Sequence, residues 1–239
     1  MADRWQTFRA TFNGGLTLNQ DALTLGSQNP GAAVIHTNYE PSLLGGYRRV
    51  NGYQKFDEAI VPGSGPLMDV ALFKGGVIAV RANSASTMLD FWYSTGNGWG
   101  TKINTVQRNW VGVDKVRHHS YDWVQPTVVF VDGVNPALKW DGTNWTTITG
   151  TGCPADPSIV TTFSSRLVLA GYSSNRSAFS VSVANNDINF APAGGAFEVA
   201  VGDPIVAMRN FRETLYIFCR NSIHKLEGNS INNFKLSPV

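Results

Sequence analysis

Charge is scarce in this chain: Asp, Glu, Lys and Arg make up 15% of 239 residues, against about 25% in an ordinary soluble domain. The charges nearly cancel, at +2 net, and no basic cluster exceeds the pair Arg48-Arg49. Nucleic-acid binding through a basic patch therefore has little support. There are only two cysteines, Cys153 and Cys219, 66 residues apart, with no second Cys near either and no His at ligand spacing. That pattern excludes the usual zinc frameworks and reads as two free core thiols. No apolar run approaches the roughly 18 residues needed to cross a bilayer, so no membrane insertion is expected. The opening Met1-Ala-Asp-Arg-Trp-Gln6 lacks the apolar stretch of a signal peptide, and a protein soluble as made is expected. No nucleophile elbow, P-loop or strand-led Gly-x-Gly-x-x-Gly unit occurs, which removes the commonest footholds for acyl and nucleotide chemistry.

What replaces the missing charge is Gly, Ser, Thr and Asn, beside a hydrophobic fraction of 43%. Those polar types belong to turns and solvated strand faces rather than to salt-bridged helices. Over residues 1–67, Gly14-Gly15, Pro30-Gly31, Gly45-Gly46, Pro62-Gly63 and Gly65-Pro66 interrupt every apolar run, which rules out long helices there. The expectation is an extended, Gly/Pro-rich N-terminal arm with short strands near 7–12, 33–39 and 46–50.

From residue 68 to 239 a repeat is legible. Trp99, Trp145, Phe190 and Phe234 each follow a polar turn, at spacings of 46, 45 and 44. Each turn is preceded by a strand-like run, at 89–94, 136–140, 178–183 and 222–227. A second hairpin lies upstream in three units, at 70–81, 160–170 and 205–219. The second unit shows only 127–131 before its turn and reads as short of one strand. Three to four strands in about 45 residues match a propeller blade, which buries its faces only by stacking on neighbours. The expected fold is all-β, a propeller-like array of about four antiparallel blades with an irregular arm; a two-sheet β-sandwich is the alternative. The last strand runs to the C-terminus, so a continuing chain, the arm or a neighbouring subunit is expected to complete the array.

Side chains able to do chemistry are few. His118 and His119 are adjacent and point to opposite faces of any strand, which suits no shared metal; a loop or edge position is expected. Asp90, Asp114, Asp122, Asp132, Asp141 and Asp187 could supply a glycosidase pair. Asp132-Gly133 and Asp141-Gly142, however, are turn dipeptides whose carboxylates serve the local backbone. Trp99 and Trp145, at repeat positions, are expected to wedge between blades. Trp110 and Trp123 fall outside the repeat and are the candidates for a glycan-stacking or interface surface. No catalytic residue, metal or cofactor is implied, so the chain is not read as an enzyme.

The segments Phe12-Asn-Gly-Gly-Leu16, Asn38-Tyr-Glu40 and Gly45-Gly-Tyr-Arg-Arg-Val-Asn-Gly-Tyr53 resemble the opening of tailed-bacteriophage virion proteins, similar sequences occurring in cyanophages. The resemblance covers about 55 residues by motif and the rest by architecture. It implies a tail, neck or nozzle component that assembles into a ring with itself and other virion proteins, is made in the host cytoplasm and resides in the virion. It would also make Gly14, Gly15, Tyr47, Arg48, Arg49 and Tyr53 the residues that fix the arm. Nozzle-type members are longer, so a complete propeller is not implied. A passing contact with phage DNA is compatible with the low net charge. Two rival functions are a tail module that binds a host surface glycan and a polysaccharide-degrading enzyme.

Overall fold

The structure, a computed structural model, describes residues 32, 37–41, 47–50, 52, 54–83, 87–100, 102–103, 108–123 and 125–239. The chain divides into two units, Met1–Lys55 and Phe56–Val239. The boundary expected at residue 67 therefore falls earlier. Residues 56–66 belong to the body because it holds them: the Trp99 indole donates to the Ala59 carbonyl (2.9 Å), Arg81 donates to the carbonyls of Val61 and Gly65, and Ser94 bonds the Asp57 carboxylate.

In the first unit, strands β1 (Tyr39–Pro41) and β2 (Tyr47–Arg49) form an antiparallel ribbon, with Glu40 opposite Arg48. The second unit is built of four small antiparallel sheets in chain order. Sheet 1 comprises β3 (Leu67–Phe73), β4 (Gly76–Ala82) and β5 (Leu89–Ser94); sheet 2, β6 (Arg117–Tyr121), β7 (Thr127–Val131), β8 (Leu138–Trp140) and β9 (Trp145–Thr147). Sheet 3 comprises β10 (Ile159–Phe163), β11 (Arg166–Tyr172), β12 (Asn175–Val181) and β13 (Phe197–Ala200). Sheet 4 comprises β14 (Ile205–Phe211), β15 (Thr214–Cys219), β16 (Ile223–Glu227) and β17 (Lys235–Pro238). In every sheet the strands pair in sequence order. Lys102 makes a single bridge to Trp92 where sheet 1 would have a fourth strand. The only helical turn among the described residues is the 3-10 piece Pro192–Gly194.

The body is an all-β, propeller-like array. Separate meanders, one of three strands and three of four, exclude the two-sheet sandwich. The second sheet is not short of a strand either, since β6 supplies it. Arg117-His-His-Ser-Tyr121 carries no apolar alternation because its side chains meet polar partners on two neighbours. His118 Nδ1 lies 2.7 Å from Asp69 of sheet 1, and His119 Nε2 lies 2.9 Å from Thr162 of sheet 3. The two rings point to opposite faces, as expected, on an edge strand.

Stacking builds the core. Ile78, Val80, Phe91, Phe130, Leu138 and Trp140 fill the space between sheets 1 and 2; Val129, Val131, Val160, Leu167 and Leu169 that between sheets 2 and 3. Val168, Phe179, Val181, Leu215, Ile217 and Leu226 fill the third interface. Alternate residues of one strand thus serve two interfaces in β7 and β11, and in β4 one interface and the cluster under Trp99, which is why these strands are nearly continuous in apolar residues. The two cysteines are free, as the sequence suggested, Cys219 buried and Cys153 half-buried. Burial pushes the Cys153 thiol up to about 11, so it is protonated near neutral pH.

Candidate assembly faces and central cavity

The repeat aromatics define what a sheet interface requires. Trp145 packs on Phe91 of sheet 1 (ring centroids 4.9 Å apart) and Phe130 of sheet 2, its indole donating to the Ile103 carbonyl. Phe190 lies in the core between sheets 2 and 3, and Phe234 meets Phe163 and Phe197 of sheet 3. Each aromatic thus seals its own sheet against the one before it. Trp99 holds the corresponding place in sheet 1, the first of the body sheets among the described residues. It lies on the outer face over Val77 and Ala79, beside Val61 and Trp92. The expected wedge between blades is correct for Trp145 and corrected for Trp99, which covers an end face.

That cover is partial. On β3, Val70 is 48% and Leu72 75% exposed; their cross-strand partners Ala79 and Val77 share this outer face. At the opposite end of the array, sheet 4 turns Tyr216 and Phe218 outward. Register puts Phe218 opposite Ile223, and Phe211 opposite Thr214 on the same face. Phe211 is 58% and Ile223 42% exposed, and Tyr216 and Phe218 are half-buried. Both end faces therefore present apolar side chains of the kind the interior interfaces bury.

The first strands of the four sheets converge on a cavity of about 310 Å³, lined from Asp69 of β3, His118 of β6, Val160 of β10 and Arg209 of β14. Burial, aided by the nearby charges of Arg209 and His118, holds the His119 imidazole below its ordinary value. A second cavity, of about 360 Å³, adjoins Arg117 at the end of the sheets where the second and third strands turn. Next to it lies a buried ion pair. Arg108 offers Nε and Nη2 to Asp132 Oδ2 at 3.0 and 2.6 Å, and the other oxygen accepts the Val134 and Asn135 backbone N–H groups. Burial draws the Arg108 guanidinium below its usual range, against the pull of Asp132.

Four of the six carboxylates weighed as catalytic pairs, Asp90, Asp132, Asp141 and Asp187, have structural partners. Asp132 and Asp141 cap their own turns, Asp141 through the N–H groups of Thr143 and Asn144. Asp187 accepts from Lys139 at 2.9 Å and from the Tyr121 hydroxyl at 2.5 Å, and Asp90 pairs with Lys102. Of the candidate contact residues, Arg48 pairs with Glu40 inside the ribbon (2.6 Å) and Arg49 lies opposite Tyr39, while Tyr47 faces Pro41 across the strands. Gly14, Gly15 and Tyr53 lie outside the described residues. Trp110 packs against the core between sheets 1 and 2. Trp123 stacks on Tyr121 at 4.8 Å, with its indole N–H buried and unpaired. Neither presents an open aromatic platform. No group of three His, Cys, Asp or Glu among the described residues is placed to share a metal.

Sequence reading missed one repeat. Asp156-Pro157 and Asp203-Pro204 precede the first strands of sheets 3 and 4, and their carboxylates accept the N–H groups of Ser173 and Asn221, each in the turn after the second strand. The spacing of these Asp-Pro pairs, close to the aromatic repeat, was the available signal.

No family model and no curated protein matches the chain. Solved structures with a similar course include a nidogen/laminin complex (13% identity, 72% of this chain and 64% of that one, TM-score 0.45). Another is BBS1N in complex with ARL6DN (12% identity, 80% and 60%, TM-score 0.44). A third is the computationally designed Ika8 protein (8% identity, 72% and 46%, TM-score 0.44). The chain spans 46% to 64% of the length of these matched chains.

Proposed function

We propose that this chain is a non-catalytic structural subunit that works by assembly, its end sheets stacking on those of further copies. The setting suggested by its opening motifs is the tail, neck or nozzle of a tailed-phage particle. The observation that carries the assembly reading is strand β15. Its sequence, Thr-Leu-Tyr-Ile-Phe-Cys, is apolar on both faces, yet only the face of Leu215 and Ile217 is buried. The other face carries Tyr216 and Phe218 with Phe211 and Ile223 beside them, an apolar patch crossed by Arg209 and Lys225, which lie opposite Tyr216, and no body sheet covers it among the described residues. Such a patch on a soluble protein marks an interaction site.

The partner is a second copy because the same chain carries the other half of the interface. Within the body each interface joins the following side of one sheet to the preceding side of the next. Sheet 4 offers a following side and sheet 1 a preceding side, with Leu72 and Val70 exposed on it. Two different faces meeting head to tail give a ring when the rotation closes and a filament when it does not. The glycan-binding reading has less support, since Trp110 and Trp123 are packed, and the polysaccharide-degrading reading less again, since four of the six candidate carboxylates are committed to turns and ion pairs.

Light scattering over a wide concentration range tests this. The wild-type mass is expected to rise with concentration, and Phe218→Ser with Ile223→Ser on sheet 4, or Leu72→Ser on sheet 1, to hold it at one chain. A wild type that remains one chain at millimolar concentration overturns the reading, as does an oligomer that all three substitutions leave intact.

A further inference from the structure

The cavity of about 360 Å³ concentrates positive charge in a protein that has little. Arg117 at the start of β6, Arg176 on β12, Arg220 after β15 and Lys115 line it, one or more from each of sheets 2, 3 and 4. The acidic lining is Asp114 and Asp132, and Asp132 is already neutralised by the buried Arg108 fork. Asp203, near enough to Arg220 to feel its charge, spends its carboxylate on the Asn221 N–H and the Ser222 hydroxyl. Four cations thus face one uncommitted carboxylate. One Arg117 nitrogen donates to the Ser158 carbonyl at 2.6 Å, which fixes the guanidinium at the wall and leaves its other N–H groups to the cavity. Gly171 sits at a bulge with φ +72°, and a side chain there would strike the Ser158 hydroxyl, so the wall keeps its shape only with glycine.

A concave site with a marked excess of positive charge and the apolar walls of Pro204 and Ile205 focuses its field on a counter-ion. We infer that this cavity binds a small multiply charged phosphate anion, with Arg117, Arg176 and Arg220 as its principal donors. Guanidinium forks match phosphate oxygens two at a time. Several converging cations also favour a polyvalent anion over a single carboxylate, because each added charge interacts with all of them. The volume suits a small ligand and is too small to enclose a nucleic-acid duplex. This inference stands apart from the assembly reading, since the cavity uses neither end face.

Titration calorimetry on the full chain in 0.15 M salt, with tripolyphosphate, orthophosphate and a short single-stranded oligodeoxynucleotide as probes, tests it. Tripolyphosphate is expected to bind saturably, one per chain, and orthophosphate about tenfold more weakly. Arg176→Gln with Arg220→Gln is expected to weaken tripolyphosphate binding about tenfold or more. Both side chains are exposed, so the thermal midpoint should not move; Lys115→Gln, also exposed, provides a second, milder loss. Lys235→Gln on β17, outside the cavity, should change nothing. The inference is overturned by absence of saturable binding, by equal loss in Lys235→Gln, or by an oligonucleotide that binds where tripolyphosphate does not.

Discussion

Strands β11 and β15 hold the same place in neighbouring sheets, second of four, and both are apolar on their two faces. In β11 the pattern is filled: Leu167 and Leu169 pack toward sheet 2, and Val168 and Ala170 toward sheet 4. In β15 only the face of Leu215, Ile217 and Cys219 is filled, while Tyr216 and Phe218 are half-exposed. The local chemistry of the two strands is alike; what differs is whether a sheet follows. Burial here is a property of the stack, as expected of a repeat array whose units are stabilised by their neighbours.

The difference between the two strands should show most strongly at one equivalent pair. Phe179 sits opposite Ala170 in sheet 3 and Ile223 opposite Phe218 in sheet 4. Phe179→Ala is expected to cost about 3–5 kcal/mol, whereas Ile223→Ser in dilute protein should stay within about 0.5 kcal/mol of neutral. Denaturant unfolding below the assembly concentration measures both; comparable losses would mean that the end face is already covered within one chain.

Interior polar contacts should behave as the interior apolar ones do. Asp132→Ala strands the Arg108 guanidinium, whose side chain is 3% exposed, and is expected to cost about 3 kcal/mol. A double-mutant cycle with Arg108→Met checks that the loss comes from the orphaned charge: the pair should be less destabilised than Asp132→Ala alone.

Turns, by contrast, should not register the difference between the sheets. The β10–β11 and β14–β15 hairpins both turn on two non-glycine residues in the left-handed region, Ser164 and Ser165 (φ 46° and 53°) and Arg212 and Glu213 (φ 49° and 62°). Two-residue turns of this hand favour glycine at the second position. Ser165→Gly and Glu213→Gly are each expected to stabilise by about 0.5–1 kcal/mol, raising the thermal midpoint by a few degrees. Unequal gains would show that the end face alters its own hairpin.

The smallest effect is confined to a pH window. His119, held between sheets 2 and 3 by Thr162, has its affinity for a proton lowered by burial. The unfolded chain, with a histidine near 6.5, therefore takes up the proton first as pH falls. Stability from this site is full above about 6.5 and is lost as pH drops below it. His119→Gln should flatten that slope between pH 7 and 5 in thermal unfolding, while leaving untouched the further loss below pH 4, where Asp57, Asp141 and Asp203, all held low by hydrogen bonds, become protonated.

Much of the body was written plainly enough to read. Strand β5 falls at 89–94 as its alternation indicates, and Trp145 wedges between sheets as its repeat position implies, because a period repeated along a chain is a local signal. Strand β6 was not legible. Arg-His-His-Ser-Tyr pairs along its length with β7, and Asp69 and Thr162, 49 and 43 residues away, give its histidines partners. The cationic cavity was equally hidden: Arg117, Arg176 and Arg220 are scattered singly, and folding three sheets around one end brings them together.

Propensity, alternation and turn residues act over a few neighbours, and so the all-β class, the repeating sheet and the turn chemistry are set locally along the chain. Which faces are covered, which polar groups meet and where charge accumulates were decided only by the tertiary structure. Those depend on contacts between residues tens of positions apart, and no local pattern encodes them.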